Sequence, residues 1–330
     1  MKYKSEFAEQ VPFSEIGGVS AGNAENLSAK TGVTVFFFPS GARAAVDVSG
    51  GGPASCGTST LGVSRNDVPL DALVFGGGSA FGLEASAGVM RCLEEHGKGL
   101  DTGAAVVPIV AQSDIYDLSY GSADIRPDAA MGYEACMKAL SGSDIRSGNA
   151  GAGTGATVGK ACGMERSQKS GIGYGAFRLG SLIVGACAVV NAFGDIFDSG
   201  EKIAGMTTGD RSGFSSAEDA MYDADHSGNL FLEGTNTTIG AVFTNAALTR
   251  EELYKTAQMA RSAYARCISP VGTMADGDTI YALSLKENAV RADINVVGTL
   301  AARALEAAVL DAVRSAAIPE GEFLSCLPKA

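Results

Sequence analysis

The chain of 330 residues contains only two histidines, His96 and His226. A serine or cysteine hydrolase of the histidine-dependent kind needs an imidazole base beside its nucleophile. His96 falls in the last turn of an expected helix, where a ring nitrogen has a ready structural role against the carbonyl end. His226 lies in the polar run DADHSG. Neither is read as catalytic. Seven scattered cysteines (Cys56, Cys92, Cys136, Cys162, Cys187, Cys267 and Cys326) include no CxxC pair, and the histidines lack HxxxH or HxH spacing, so no metal site is called. The odd cysteine count argues against a disulfide framework and for buried small hydrophobes. No apolar run reaches the roughly 18 residues of a membrane span, and MKYKSEFAEQVPFSEIGG lacks the apolar centre of a signal peptide. A soluble protein of the cytoplasm is the expectation. A formal charge of -12 with no basic run or basic helical face makes nucleic acid an improbable partner; a small molecule or peptide fits better.

What the chain does have is 46% hydrophobic residues and 19% charged, enough for one large domain or two ordinary ones. Its 44 glycines come in bursts such as GGG and GAGTGA, which imply tight turns between packed elements. Short apolar runs at 32–38, 43–48, 71–76, 181–193, 239–244 and 279–285 read as strands. Helices are expected over 81–97, over 295–317, and after Thr249, where Leu253, Ala257, Ala260, Tyr264 and Cys267 share one face and Thr249 with Glu252 forms a capping box. The segment 199–236 is rich in Gly, Ser, Asp and Thr and reads as a long flexible polar stretch, a feature that usually marks function or a linker.

Two glycine motifs fail on inspection. GNAGAGTGATVGKA, 148–161, misses the phosphate-loop pattern at Thr154 and Ala161, and GAGTGA lacks the strand before it and the acidic residue after it that a dinucleotide site requires. No cofactor is called. Lys160, which closes that run, reads by itself as a solvated surface amine.

The stretch GTNTTIGAVFTN, 234–245, offers chemistry without histidine. If the Thr237 hydroxyl attacks the carbonyl of Asn236, the peptide becomes an ester, water cleaves it, and Thr237 acquires a free α-amine that acts as base for its own hydroxyl. Gly234 permits unusual torsions upstream. Thr238 is the rival, since a shift of one residue flips the face of a strand.

Seven segments in order, LVFGGGSAFGLEASAGV (73–89), VPIVAQSDIYDL (107–118), RPDAAMGYEAC (126–136), GAGTGATVGK (151–160), VVNAFGD (189–195), NTTIGAVFTNA (236–246) and MADGDTIYALS (274–284), resemble the self-processing N-terminal-nucleophile hydrolases of the L-aminopeptidase/D-esterase type. That family includes β-peptidyl aminopeptidases and a nylon-oligomer hydrolase. The resemblance implies a four-layer αββα sandwich in one catalytic domain, cut into an α chain of residues 1–236 and a β chain of residues 237–330, and assembled as a tetramer of paired chains. It implies Thr237 as nucleophile and self-cleavage after Asn236. It also implies Asn191 as oxyanion donor, Asp276 and Asp278 as partners of the Thr237 amine and hydroxyl, Lys160 in the catalytic cleft, and Tyr116 near the oxyanion pocket. Taken alone, Asp276 and Asp278 read as an Asp-Gly-Asp turn and Tyr116 as an ordinary half-buried tyrosine. The chain departs from many relatives at GGGPASCGTSTL, 50–61, where they carry a charged stretch after the turn. The implied activity is removal of N-terminal residues from small peptides, amides or esters. A hydrolase of β- or ω-amino acid oligomers, an acyltransferase on the same fold, and an unprocessed binding protein are the alternatives.

Overall fold

The computed structural model describes residues 5–227 and 236–328. Eight strands carry most of the sheet: β1 Ser20–Asn26, β2 Thr31–Val48, β3 Leu70–Gly76, β4 Val110–Asp114, β5 Ile172–Leu179, β6 Leu182–Asn191, β7 Thr237–Thr244 and β8 Thr279–Leu285. The helices are α1 Ala85–Glu95, α2 Ala129–Ser141, α3 Ala217–His226, α4 Arg250–Ala260, α5 Ser262–Cys267, α6 Ile294–Ser315 and α7 Glu320–Ser325. With two short edge strands the sheet runs Glu9–Gln10, β5, β6, β7, β8, β2, β3, β4, Ala54–Cys56, and β1 also pairs with β2. The β7–β8 and β3–β4 pairs are parallel; the others are antiparallel. Among the described residues no helix is long and apolar enough to cross a membrane.

Strand β2 joins the two halves of the sheet. Its Ala42–Val48 portion pairs with β8, and its Val33–Phe37 portion pairs with β3. Between them the register shifts at Phe38-Pro39-Ser40-Gly41, where Gly41 adopts φ +68°. A proline lacking its N–H and a left-handed glycine interrupt the ladder there. The two separate runs expected at 32–38 and 43–48 are therefore one bent strand.

Alternation then sorts the side chains. Val33, Val35 and Phe37 of β2 join one apolar cluster with Val89, Leu93, Cys136 and Ala139 of α1 and α2. Phe36 and Phe38 face the other way, into a cluster with Cys187, Val189, Ile239, Phe243 and Tyr281. In that cluster Phe36 and Phe243 lie 5.2 Å apart and Phe75 and Tyr281 6.1 Å, ring centre to ring centre. Val184, Ala186, Ala188 and Val190 of β6, with Val242, Ile280 and Ala282, turn to a third cluster under α4, α5 and α6. The period of two is what lets one strand line two cores.

Several expectations need correction. The 199–236 stretch is not structureless: Glu201–Ala204 is a strand, and α3 is a helix capped by Ser216, whose hydroxyl accepts from Asp219 N. Its sequence AEDAMYDADH buries only Ala217, so no apolar stripe betrayed it. Residues 228–235 of that stretch, including Gly234, lie outside the described residues. The helix after Thr249 keeps its capping box but divides at Arg261 into α4 and α5. The 81–97 helix opens as a 3₁₀ turn over Ser79–Glu84 and ends with His96 Nδ1 2.7 Å from Cys92 O, the structural role expected of it. All seven cysteines are free, but Cys162 is exposed and Cys56 and Cys326 only half-buried, so the buried-hydrophobe reading holds for four.

Candidate active site

Three strand ends meet around Thr237, the first residue of β7. Asn191, the last residue of β6, is its antiparallel partner. On the parallel side β7 and β8 pair from Ile239 with Thr279, and the pairing extends backwards as a bridge between Asn236 and Asp276. The odd-numbered residues of β7 (Ile239, Ala241, Phe243) face the cluster between the sheet halves. Thr237 shares their parity. Thr238 has the opposite parity, and its carbonyl accepts from the Tyr264 hydroxyl of α5 at 3.4 Å.

Thr237 is 5% exposed, and its hydroxyl donates to the carbonyl oxygen of Asn236 at 2.5 Å. The same oxygen accepts the Gly277 N–H at 2.8 Å. Asn191, fully buried, accepts the Thr157 N–H on Oδ1 at 3.1 Å and donates from Nδ2 to the Tyr116 carbonyl at 2.9 Å. These bonds fix its amide orientation, because swapping O and N would set donor against donor.

Asp276 and Asp278 are both buried, and each is compensated by donors from the chain around it. Asp278 accepts Thr238 N at 2.6 Å and Gly272 N at 2.9 Å. Asp276 accepts the Thr273 N–H at 3.0 Å and its hydroxyl at 2.6 Å. These hydrogen bonds of the two carboxylates thus go to a neighbour of Thr237 and to their own loop instead of to Thr237 itself. Burial, reinforced by the charge of Asp276, raises the Asp278 carboxyl to about 7. The Lys160 ammonium donates to Asn191 O at 2.9 Å, and burial lowers it to about 7 against the opposing pull of Asp276, Asp117 and Asp278. Lys160 is thus no solvated surface amine. Burial thus brings a carboxyl and an amine toward neutrality within one cluster, an arrangement common at sites that move protons.

A cavity of about 140 Å³ lies beside Asn191, lined by Tyr116, Asp117, Thr157, Lys160, Gly163 and Met164 among others. Three of these, Tyr116, Thr157 and Lys160, are bonding partners of Asn191. The Tyr116 hydroxyl itself accepts a long 3.5 Å bond from Ser119. Asp117, held by the Thr31 hydroxyl and Gly78 N at 2.7 Å each, is raised by burial to about 6. Sequence reasoning missed Asp117, Thr157, Gly277 and the glycine loop that packs on Asp276. That loop donates Gly52 N to Asp276 O at 2.9 Å and Gly50 N to Asp278 O at 3.1 Å. Backbone donors carry no residue-type signature, which is why only the glycine content hinted at them.

A buried threonine hydroxyl thus stands at the head of a central strand, flanked by a buried amide, two buried carboxylates and a buried lysine. The chain matches the model of peptidase family S58 over residues 13–322. It is 34% identical over 336 residues to an uncharacterised aminopeptidase of Mycobacterium tuberculosis, covering 92% of this chain and 95% of that one. It is also 34% identical over 272 residues to a 6-aminohexanoate-oligomer endohydrolase of Kocuria sp., covering 82% and 74%. Among solved structures, the L-aminopeptidase D-Ala-esterase/amidase of Ochrobactrum anthropi, described as a variant of the Ntn hydrolase fold, superposes with a TM-score of 0.65 at 17% identity over 92% of this chain and 85% of that one. The chain belongs to peptidase family S58. It is a hydrolase of peptide or amide bonds on an Ntn-hydrolase fold.

Proposed function

We propose that the chain is a self-processed aminopeptidase or amidohydrolase whose nucleophile is Thr237 once that residue has become N-terminal. The observation that carries this reading is the Thr237 hydroxyl, 2.5 Å from the carbonyl oxygen of the residue it would release, between Asn191 on one strand and the Asp276–Asp278 loop on the other. The parity of Thr238, which sets it on the helix side, favours Thr237 over its neighbour.

In maturation the Thr237 Oγ1 forms a bond to Asn236 C while the C–N bond breaks, and the hydroxyl proton passes to the departing amine. Water then adds its oxygen to the acyl carbon and returns a proton to Oγ1, leaving an Asn236 carboxylate and a free Thr237 amine. In turnover the same hydroxyl attacks a substrate carbonyl, giving its proton to the α-amine, which passes it to the departing amine or alcohol as the substrate bond breaks. Water then cleaves the acyl ester and restores the hydroxyl, with Lys160 and the Asp276–Asp278 pair tuning the protonation of the α-amine. Asn191 Nδ2 gives one hydrogen to the Tyr116 carbonyl and keeps a second, which we assign to the oxyanion of turnover, with Tyr116 beside it. The products are an α chain of residues 1–236 and a β chain of residues 237–330 within one catalytic domain. We read its three apolar clusters as the seams of a four-layer αββα sandwich, and we expect an oligomer, a tetramer of paired chains.

The substrate class is small peptides, amides or esters with a free N-terminal residue. Hydrolysis of ω-amino acid oligomers is the second reading, favoured by the 34% identity to the 6-aminohexanoate-oligomer endohydrolase. Intact mass of freshly purified protein, with N-terminal sequencing, tests the proposal. Wild type is expected to yield a small chain beginning TTIGAVF, and Thr237→Ala a single 33.5 kDa chain. A fragment beginning TIGAVF reassigns the nucleophile to Thr238. A whole chain inert toward aminoacyl amides leaves a binding protein.

A further inference from the structure

We propose that the backbone N–H of Gly277 is the oxyanion donor of the self-cleavage step, and that a glycine stands there because any side chain would strike the attacking hydroxyl. The proposal rests on the self-cleavage reading above. The Asn236 carbonyl oxygen, where negative charge develops when Oγ1 adds to the carbon, accepts from the Thr237 hydroxyl at 2.5 Å and from Gly277 N at 2.8 Å. The first is consumed in the reaction, because the hydroxyl must lose its proton to attack. The second persists and strengthens as the charge grows. Asn191, the residue assigned to hold the oxyanion in turnover, has its Nδ2 directed to the Tyr116 carbonyl. Maturation and turnover therefore draw on different donors.

The donor is preorganised from both sides. Asn236 pairs with Asp276 as a parallel bridge, its own N–H reaching Ala275 O at 3.3 Å, so the bond to be cut is clamped like one more rung of the β7–β8 ladder. Behind it, Gly52 N holds Asp276 O, and Ser49 N and Gly50 N hold Asp278 O. A Cβ on residue 277 would lie 2.8 Å from Thr237 Oγ1 and 2.9 Å from Gly52 O. That is closer than Cβ atoms approach such neighbours, and both Gly277 and its surroundings are backbone or the nucleophile itself.

The most direct test exchanges that N–H for an oxygen, which cannot donate. Cys267 allows a recombinant 1–266 thioester to be ligated to a synthetic 267–330 segment in which glycolic acid replaces Gly277, turning that amide into an ester. An all-amide ligated chain is the control, and refolding starts the clock. The expected result is self-cleavage slowed about 100-fold or more in the ester chain, read as appearance of the fragment that begins at Thr237. Equal rates in two chains with matching circular dichroism overturn the proposal. An all-amide chain that folds and never cuts removes the self-cleavage reading instead. A second measurement does not depend on the ester chain folding: in the uncut Thr237→Ala protein, a scalar coupling across the hydrogen bond links Gly277 N to Asn236 C′ if the donor is in place. Its absence in an otherwise assigned spectrum also overturns the proposal.

Discussion

The two groups nearest neutrality in this site, Asp278 and Lys160, are buried within one cluster with Asp276, so their titration belongs to the cluster and not to either residue alone. On the proposed self-cleavage both ionisations are expected to act in one direction: above about 7 the carboxylate is charged and the amine is a free base. The rate is therefore expected to rise with pH through a midpoint near 7. Asp278→Asn separates the contributions. Loss of the carboxylate removes a charge that holds the Lys160 ammonium up, so the remaining midpoint moves below 7. At pH 8 the rate falls by about 10² or more, the usual contribution of a positioned acid or base. Precursor decay followed by mass spectrometry from pH 5.5 to 9 checks both; an unmoved midpoint in Asp278→Asn removes that residue from the proton chemistry. Thr237 was legible as a candidate from its hydroxyl and its place before a strand, whereas Asn191 and Lys160 were candidates only through the motif resemblance, Lys160 by itself reading as a surface amine. The actual partners of the two aspartates were not legible, since Thr238 N, Gly272 N and Thr273 N are main-chain donors brought in by the path of the loop.

At the level of elements, one loop against another sets the site. In the GGGP turn after β2, Gly50 faces the Asp-Gly-Asp segment. A Cβ there would lie 2.3 Å from Asp278 N and 2.4 Å from Asp276 O. Gly50→Ala is expected to push the 273–278 loop away from Asn236 and slow self-cleavage about 100-fold, the effect of a displacement near 1 Å in a reacting pair. Gly209→Ala, at an exposed glycine with nothing within 4 Å of its Cβ, is the control and is expected to process normally. Equal half-lives for the two precursors sink the argument. Strands with strong apolar runs, β3, β7 and β8, were readable from sequence almost to the residue. β1, SAGNAEN, was not, because its buried faces are filled by Ala, Gly and a buried Asn23 that bonds Asp144 O at 2.6 Å. α2 was overlooked as well; its residues AAMGYEACMKALS pack closely on α1 through Gly132 and small side chains rather than through a broad apolar stripe.

Across the whole molecule, the buried ionisable groups give stability an unusual pH course. Lys160 and Lys169 ionise at 10.5 when unfolded and at about 7 when folded, both lowered chiefly by burial. Between those values the unfolded chain holds protons that the folded chain has released, so stability rises with pH from 7 upward. Asp278 and Asp117 work on the other side of neutrality. Raised from 3.8 to about 7 and about 6, they hold protons in the fold that the unfolded chain has lost, and their contribution fades as pH climbs to 7. Above pH 9 a third set takes over: burial lifts the Cys267 thiol to about 12 and the Cys136 thiol and the Tyr120 and Tyr281 hydroxyls higher still. The unfolded chain then sheds protons that the fold retains, and stability falls. The thermal midpoint of the uncut Thr237→Ala protein is thus expected to pass through a local minimum near pH 7, climb toward pH 8.5, and decline beyond 9. Adding Lys169→Met to that protein removes one of the two amines, so the climb between pH 7 and 8.5 shrinks whatever the change in absolute stability. Calorimetry across pH 5 to 10 on both proteins decides it: a midpoint that falls steadily from 7 to 8.5, or a climb identical in both, shows that the two buried lysines do not carry the effect.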